Sequence, residues 1–560
     1  RTVLHGFPSS DRESSKPVVA NVAPATNVHV RNLAIDGGWE NGDGNFPHFR
    51  AGVGLDRCNS CSVENVLVRD TLHSCLYVKN SLDVTFADNT LLSCGNYTGS
   101  GHRFPCIYLF ANAGMTLDGA IVERNFCNGT GHSGLNTRID DGAIINARFS
   151  DNITMNTRIS DGRAEGCIYI SGVEDTTFVN NDCIRTGSLW VLYSRNITVN
   201  GGRMDTIIGT HGVRVLGSVG LTLSDLEIQN TDSAGIVLHT DTDGSNMDHE
   251  DLIIRNTTIR NTGSHGVMTE EGTILKNVEI RNNVLDGTDR DAMNFDLSTF
   301  QPSENVVVAD NSIRDFSKQI GGSGISIVGS ATGTQISENH FEDVSTQALY
   351  GILHDVTPVS PDLSYLCANE FGGTFAVSNQ YSVAGSSEDF QGDNDNDLSV
   401  NACDCDDADS TIHPGAAEIN DGKDNQCPGD QGYGIHDETS GNSGFRNPAD
   451  KTEYSWPAQA NALDHEIVRS HGARFIGCTT WETPQTRVHD NEEPVAGQLF
   501  FYLNRPVTPN RGGWGLDSEG HERRVFCRNI LDPSPFDRTG QTHDGHQPRK
   551  VGSPVSPQSP

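Results

Sequence analysis

One motif recurs along the chain and narrows the possible folds more than any other feature. "GVRVLGSVGLTLSDLEIQN" (212–230) is followed by "DLIIRNTTIRNTGSHGVMTEEG" (251–272), "NVEIRNNVLDGTDRDAMNFD" (277–296) and "NVVVADNSIRDF" (305–316). Each copy is a short β-branched run, an Asn or Asp, an aliphatic residue, a turn, and another β run. Anchored on the Asn or Asp, the unit falls at Asn32, Asp70, Asn89, Asn125, Asn152, Asn181, Gly202, Asp225, Asn256, Asn282, Asn311, Asn339 and Asn369. The spacing runs from 19 to 38 residues and settles at 26 to 31. A period in this range marks a repeat architecture. The strands are short and rich in Val, Ile and Thr, and no helical period survives. Such a unit cannot bury its apolar face alone and must stack on its neighbours. Asn recurring at one turn fits a ladder in which its side chain satisfies backbone groups from coil to coil.

This pattern resembles the right-handed parallel β-helix of pectate-lyase-like proteins over roughly residues 20–385. The resemblance implies an all-β chain of about 13 coils, on the order of 60 Å long at about 4.8 Å per coil. It is specific for fold and weak for activity.

The strand after each Gly turn aligns coil by coil: "CLYVK" (75–79), "CIYLF" (106–110), "GLNTR" (134–138), "CIYIS" (167–171), "SLWVL" (188–192), "GVRVL" (212–216), "GIVLH" (235–239), "GVMTE" (266–270), "AMNFD" (292–296) and "GISIV" (324–328). Alternation turns positions two and four inward, and these form a consistent apolar stack. Position three then faces out as Tyr77, Tyr108, Asn136, Tyr169, Trp190, Arg214, Val237, Met268, Asn294 and Ser326. Position five also faces out, and includes Arg138, His239, Glu270 and Asp296. Aromatic rings in a row suit the C–H faces of sugars. Arg grips carboxylates such as those of uronic acids. Tyr77, Tyr108, Arg138, Tyr169 and Trp190 are therefore the expected substrate-binding set.

Chemistry, if present, is expected midway along this face. Glu270 and Asp296 stand one coil apart in one column, as a hydrolase's carboxylate pair requires, with one carboxyl raised by the other. His239 in the preceding coil is a candidate proton donor, and Arg214 a stabiliser of developing negative charge. Asp140 and Asp141 in "RIDDG" are a second acidic cluster. The ordered motif set of polygalacturonases is not found; "GTHGVRV" and "SHGVM" supply its His-Gly pair alone. A polysaccharide lyase or hydrolase and a non-catalytic surface rod that binds glycan or envelope both remain open. The first requires charges converging in one cleft, and the second is satisfied by solvated ones.

The formal charge of −35 argues against a nucleic-acid partner, and no apolar run is long enough to span a membrane. Fourteen cysteines in clusters, with Gly- and Asn-rich composition and many N-x-S/T sites, favour an oxidising, secreted or cell-surface setting. A monomer is expected. The chain opens inside an ongoing pattern, which suggests a fragment whose leader is lost.

Residues 391–440 are Asp-rich. Oxygen ligands at alternate positions, as in Asp393, Asp395 and Asp397, are what a hard cation such as Ca²⁺ selects. "CDCDDADSTIHPGAAEINDGKDNQCPGD" resembles the Asp-rich calcium-binding repeat of bacterial surface proteins. That resemblance implies Asp404, Asp406, Asp407, Asp409, Asp421, Asp424 and Glu438 as further ligands. Asn420 stands where the pattern has Cys, and Cys427 is left with Cys403 or Cys405 as partner. Residues 441–530 carry alternating strands, a Trp-Pro and "FYLNRPV", and resemble a fibronectin type III-like β-sandwich in which Cys478 and Cys527 pair. The expected order is a β-helix over 1–390, an acidic calcium-binding linker, the sandwich, and a disordered tail over 531–560.

Overall fold

The computed structural model describes most of residues 2–527; the segments 6–16, 38–50, 96–103, 240–247, 417–422 and 434–442, everything from 528 on, and several shorter stretches lie outside the described residues. The chain divides into two compact units, Arg1–Ser410 and Thr411–Pro560.

The first unit is a right-handed parallel β-helix, as the repeat implies. One sheet of 14 parallel strands runs from Thr2–His5 to Glu370–Gly373. The other two faces join into a 28-stranded sheet, because long strands such as Ser323–Thr332 bend from one face onto the next. The aligned pentapeptides form the front sheet in the expected register: Tyr77 opposes Tyr108, Trp190 opposes Arg214, and Leu216 opposes His239. The inward positions are buried throughout, from Leu76 and Val78 to Ile325 and Ile327. With a period of two, a one-residue slip would expose this whole stack, so the pattern admits one register.

The recurrent Asn forms the interior ladder, with one correction to its phase. Rear turns have two residues, the first left-handed and the second, in most of them, buried. Asn32, Asp225, Asn256 and Asn282 take the left-handed place, with φ of 57°, 57°, 50° and 55°. Short polar residues tolerate that conformation. The ladder runs through the second place. Asn89, Asn125, Asn152 and Asn181 are linked amide to amide at 2.8–3.0 Å, and Asn283, Asn311, Asn339 and Asn369 at 2.9 Å. Asn283, not Asn282, is therefore the rung. Asp70 belongs to the other turn, before a buried Thr71.

Three disulfides lie inside the early coils, Cys75–Cys94, Cys106–Cys127 and Cys167–Cys183, each tying the residue before a front strand to the last strand of its coil or to the turn just after it. Cys58–Cys61 closes a turn. At the far end an aromatic pile of Phe341, Phe371, Tyr381 and Phe390 continues the core, and Val400 is buried against it. Cys367–Cys403 fastens this cap. The first part of the acidic segment thus belongs to the β-helix unit.

In the second unit, residues 444–508 form two three-stranded antiparallel sheets. One contains Gly444–Asn447, Asp450–Ser455 and Arg487–His489; the other contains Cys478–Thr483, Asp464–Ser470 and Phe501–Thr508. Tyr454, Trp456 and Ile467 are its small core, and Cys478 pairs with Cys527. Among the described residues no helix is long and apolar enough to cross a membrane.

Candidate functional site

On the front sheet Tyr77, Tyr108, Tyr169, Trp190, Arg214, Met268 and Asn294 stand outward and half-buried. Tyr169 and Trp190 are 5.9 Å apart between ring centroids. Tyr77 and Tyr108 flank the His73 ring at 6.1 and 6.5 Å, and His73 itself stacks on Phe104 at 3.6 Å. Asn136 interrupts the aromatic row between Tyr108 and Tyr169. Arg138 is exposed, and its Nε donates to Asp140 at 3.1 Å; its charge also acts on the Tyr108 hydroxyl. The row therefore presents ring faces at coil spacing with a cation at one edge.

Beyond Trp190 the row becomes a polar relay. The Arg214 guanidinium lies on the Trp190 ring, 3.8 Å from its centroid. Arg214 Nε donates to His239 Nε2 at 2.7 Å. His239 Nδ1 is 2.6 Å from Glu270 Oε1. An imidazole accepting at Nε2 is neutral and carries its proton on Nδ1, so it donates to Glu270. Burial first, then the Arg214 charge and His249, push the His239 pKa down to about 3. His239 is thus no cationic proton donor near neutral pH.

Three residues here escaped the sequence reading. His211 leans in from the opposite edge of the sheet, edge-on to His239 at 5.8 Å, with its Nδ1 accepting from the Ala234 amide. Val237 faces outward by register yet is fully buried. His265 approaches Asp291 to 3.3 Å without hydrogen-bond geometry, and Asp291 accepts from Asn294 and the Ser323 amide. The His-Gly pairs at 211–212 and 265–266 were visible in the sequence, but register does not report which way a ring leans.

Glu270 and Asp296, the expected carboxylate pair, each engage another group. The strand ends at Thr269, whose hydroxyl accepts from the Asp296 amide at 2.7 Å. Glu270 turns toward His239, and Glu271 is the carboxylate that acts on Asp296. Burial, then Glu271, raises the Asp296 pKa.

In the acidic segment, the carboxylates of Asp393, Asp395 and Asp397 offer oxygens within 4.8 Å of one another. Asp393 also accepts from the amides of Asn396, Asp397 and Leu398. Both Asp395 oxygens are buried without a hydrogen-bond partner. Burial raises the Asp404 pKa, with Asp397, Asp395 and Asp407 adding to it. Asp406 and Asp424 cap turn amides, and Asp409 lies just beyond Asp406. Asp421 and Glu438 lie outside the described residues.

Two family models match. Residues 135–351 match a family described as periplasmic copper-binding protein (NosD), and residues 404–431 match the Cu-binding MopE family, described as a putative metal-binding motif. No curated protein matches the chain. Among solved structures the chain is similar to the catalytic domain of a GH87 alpha-1,3-glucanase in complex with tetrasaccharides, at 16% identity and TM-score 0.30 over 62% of this chain and 55% of that one. It is also similar to a tailspike of Pseudomonas phage phi297, at 12% identity and TM-score 0.34 over 64% and 50%. A third is PfbA, a surface adhesin of Streptococcus pneumoniae, at 11% identity and TM-score 0.28 over 64% and 75%. The chain spans about half the length of the first two.

The match over 404–431 corrects the Ca²⁺ expectation for the acidic segment, since that family is named for copper and described as a metal-binding motif, with no mention of calcium. The donors were read as hard-cation ligands because carboxylates dominate them, and that chemistry alone does not name the ion. Nor do the matched residues fit a thiolate copper centre. Cys405 and Cys427 are disulfide-bonded, and Cys403 is taken by Cys367, which removes it as a partner for Cys427. His413 is the one imidazole in the motif, and its Nδ1 is 3.1 Å from the Pro414 carbonyl. The remaining donors are carboxylates, of which Asp430 accepts from the Gly415 and Cys427 amides.

Proposed function

We propose that this chain is a secreted or cell-surface β-helix protein that grips an acidic, uronate-rich polysaccharide along its front sheet. The observation that carries this reading is the outward aromatic row ending on Arg214, which lies flat against Trp190. Tyr77, Tyr108, Tyr169 and Trp190 offer stacking faces, with Arg138 and Arg214 as carboxylate contacts. Disulfides buried in the β-helix core support an oxidising, extracytoplasmic compartment. Affinity electrophoresis in polygalacturonate and in neutral dextran tests it. Trp190→Ala should weaken binding to the acidic polymer about 10- to 100-fold. Equal retardation of wild type and variant would remove the platform.

Cleavage of the same polymer is the catalytic form of this proposal. Asp296, whose carboxyl is held above the usual range, is its candidate proton donor. Following unsaturated-product absorbance and reducing ends separates lyase from hydrolase, and Asp296→Asn should abolish either signal. A non-catalytic adhesin is the second reading. It is favoured by Glu270 being engaged with His239.

For the rest of the chain we propose a cation site at Asp393, Asp395 and Asp397, to be tested by thermal shift with copper(II) and a panel of divalent ions. We also propose a fibronectin type III-like spacer, supported by the two three-stranded sheets of residues 444–508.

A further inference from the structure

We propose that His239 and Glu270 are positioning residues that hold the Arg214 guanidinium in place, and that neither exchanges a proton with a ligand. The proposal rests on the glycan reading only for the nature of that ligand.

Both ring nitrogens of His239 are engaged. Nε2 accepts from Arg214 Nε at 2.7 Å, and Nδ1 faces Glu270 Oε1 at 2.6 Å. A proton-transfer imidazole needs one nitrogen within reach of the reacting group, and breaking either bond here would release one end of the relay. The ring is nearly buried, at 9% exposed, and is kept neutral by that burial and by the adjacent guanidinium. A neutral ring is what an Arg donor requires of its acceptor.

The backbone on both sides is braced. His249 is buried in the strand Asp248–Arg255, and its Nε2–H donates to the His239 carbonyl at 3.1 Å. The Glu270 amide donates to the Leu238 carbonyl at 3.0 Å, and the Thr273 hydroxyl donates to the Glu270 carbonyl at 2.6 Å. The Glu270 main chain therefore cannot drift from His239 without undoing a turn. The far end of the relay is equally fixed. The guanidinium is stacked on Trp190, and the His239 ring lies parallel to the Trp190 ring, with centroids 6.2 Å apart and planes 6° apart.

Arg214 is thus held by its face and by its Nε. A long side chain ordered before the ligand arrives loses less freedom on binding. The chemical class this arrangement serves is a planar anion such as a sugar carboxylate, which a fixed guanidinium recognises by geometry as well as charge.

Two substitutions of His239 separate the roles. In His239→Gln the amide reaches the place of Nε2 and offers Arg214 an acceptor. In His239→Asn the amide stops near the place of Nδ1 and keeps only the Glu270 partner. Glu270→Gln keeps an acceptor for Nδ1–H, whereas Glu270→Leu does not. The first readout needs no ligand: the Nε–H signal of Arg214 in ¹⁵N-arginine-labelled protein, and its protection from exchange. The second is affinity electrophoresis in polygalacturonate. His239→Gln and Glu270→Gln should keep the protected signal and bind within about threefold of wild type, while His239→Asn and Glu270→Leu lose the signal and bind about tenfold or more weakly. All four should keep the wild-type melting temperature to within a few degrees. If the Gln and Asn variants of His239 behave alike in both readouts, or if Glu270→Gln loses the signal, the positioning role is wrong. If wild type binds no polygalacturonate, the glycan reading fails, and the Nε–H signal alone still decides the relay.

Discussion

The rear-turn column and the front-face column pass through the same coils and follow opposite rules. At the rear, Asn repeats at rung after rung, from Asn89 to Asn181 and from Asn283 to Asn369. At the front, almost no residue repeats between neighbours: Tyr169, Trp190, Arg214, Val237, Met268 and Asn294 follow one another. A position repeats where every coil poses the same problem, which at the rear is a buried turn whose backbone groups need partners. A position varies where the task is local. The ladder also lapses where the front is most specialised. Its rungs are Gly202, Leu226 and Thr257 in the three coils whose front strands carry Trp190, Arg214 and His239. In those coils the side-chain hydrogen-bond chain is on the front face instead.

The strongest way to break this contrast is to remove a rung. Asn311 donates to the Ile280 and Ala309 carbonyls and to Asn339, and accepts from the Asn283 amide and side chain. Asn311→Ala leaves several buried groups unpaired and should cost about 4 kcal/mol. Thermal or urea unfolding of the variant measures this. A loss under about 1 kcal/mol would show that the ladder follows the fold and does not hold it together.

Acid should act next, and mainly on the front face. His73 is half-buried, stacked on Phe104, with Nδ1 unpartnered, and desolvation pushes its pKa down to about 4. The unfolded chain takes up this proton near the ordinary histidine value and the folded chain resists it. The stabilisation is therefore complete above about pH 6.5 and is lost as pH falls towards 4, a loss of about 3 kcal/mol for a shift of this size. His239, pushed down to about 3, adds to the same slope. The rear ladder, being amides, contributes nothing to it. Unfolding free energy measured from pH 7 to 4 should fall in wild type and fall less in His73→Phe. A flat profile in wild type would place both rings in water.

Much of the β-helix was legible because period-two alternation permits one register. The outward column, and with it Arg214, His239 and Glu270 as near neighbours, follows from counting alone. What counting misses is side-chain direction. Glu270 stands in the column above Asp296, but the strand stops one residue earlier, so Glu270 turns to His239 and Glu271 takes its place beside Asp296. Val237 counts as exposed and is buried. Asn282 and Asn283 are adjacent in sequence, and only the turn conformation tells which is the rung. The acidic segment reads as a linker by composition, yet Phe390 and Val400 anchor its start in the β-helix core. Two apolar residues among many carboxylates are a weak signal in sequence and a decisive one in packing.

The smallest effect tests whether the gap in the ladder is a vacancy that any side chain might fill. Gly202 occupies the rung place after Asn181, with φ of 97°. A Cβ built there would sit on the Asn181 carbonyl oxygen and close to its amide nitrogen, both of them backbone atoms. Neither can swing away as a side-chain tip would. The turn has tightened onto the rung below, so the space an Asn would need is already filled by main chain. Gly202→Asn should therefore fail to extend the ladder and should cost roughly 1–2 kcal/mol, the scale of a side chain forced into a left-handed, crowded turn. Gly202→Ala should cost about the same, since the clash begins at Cβ. If Gly202→Asn instead raises the melting temperature while Gly202→Ala lowers it, the rung is being completed. The break would then be an unfilled place in a continuous ladder, and its coincidence with the coils of Trp190, Arg214 and His239 would carry no structural meaning.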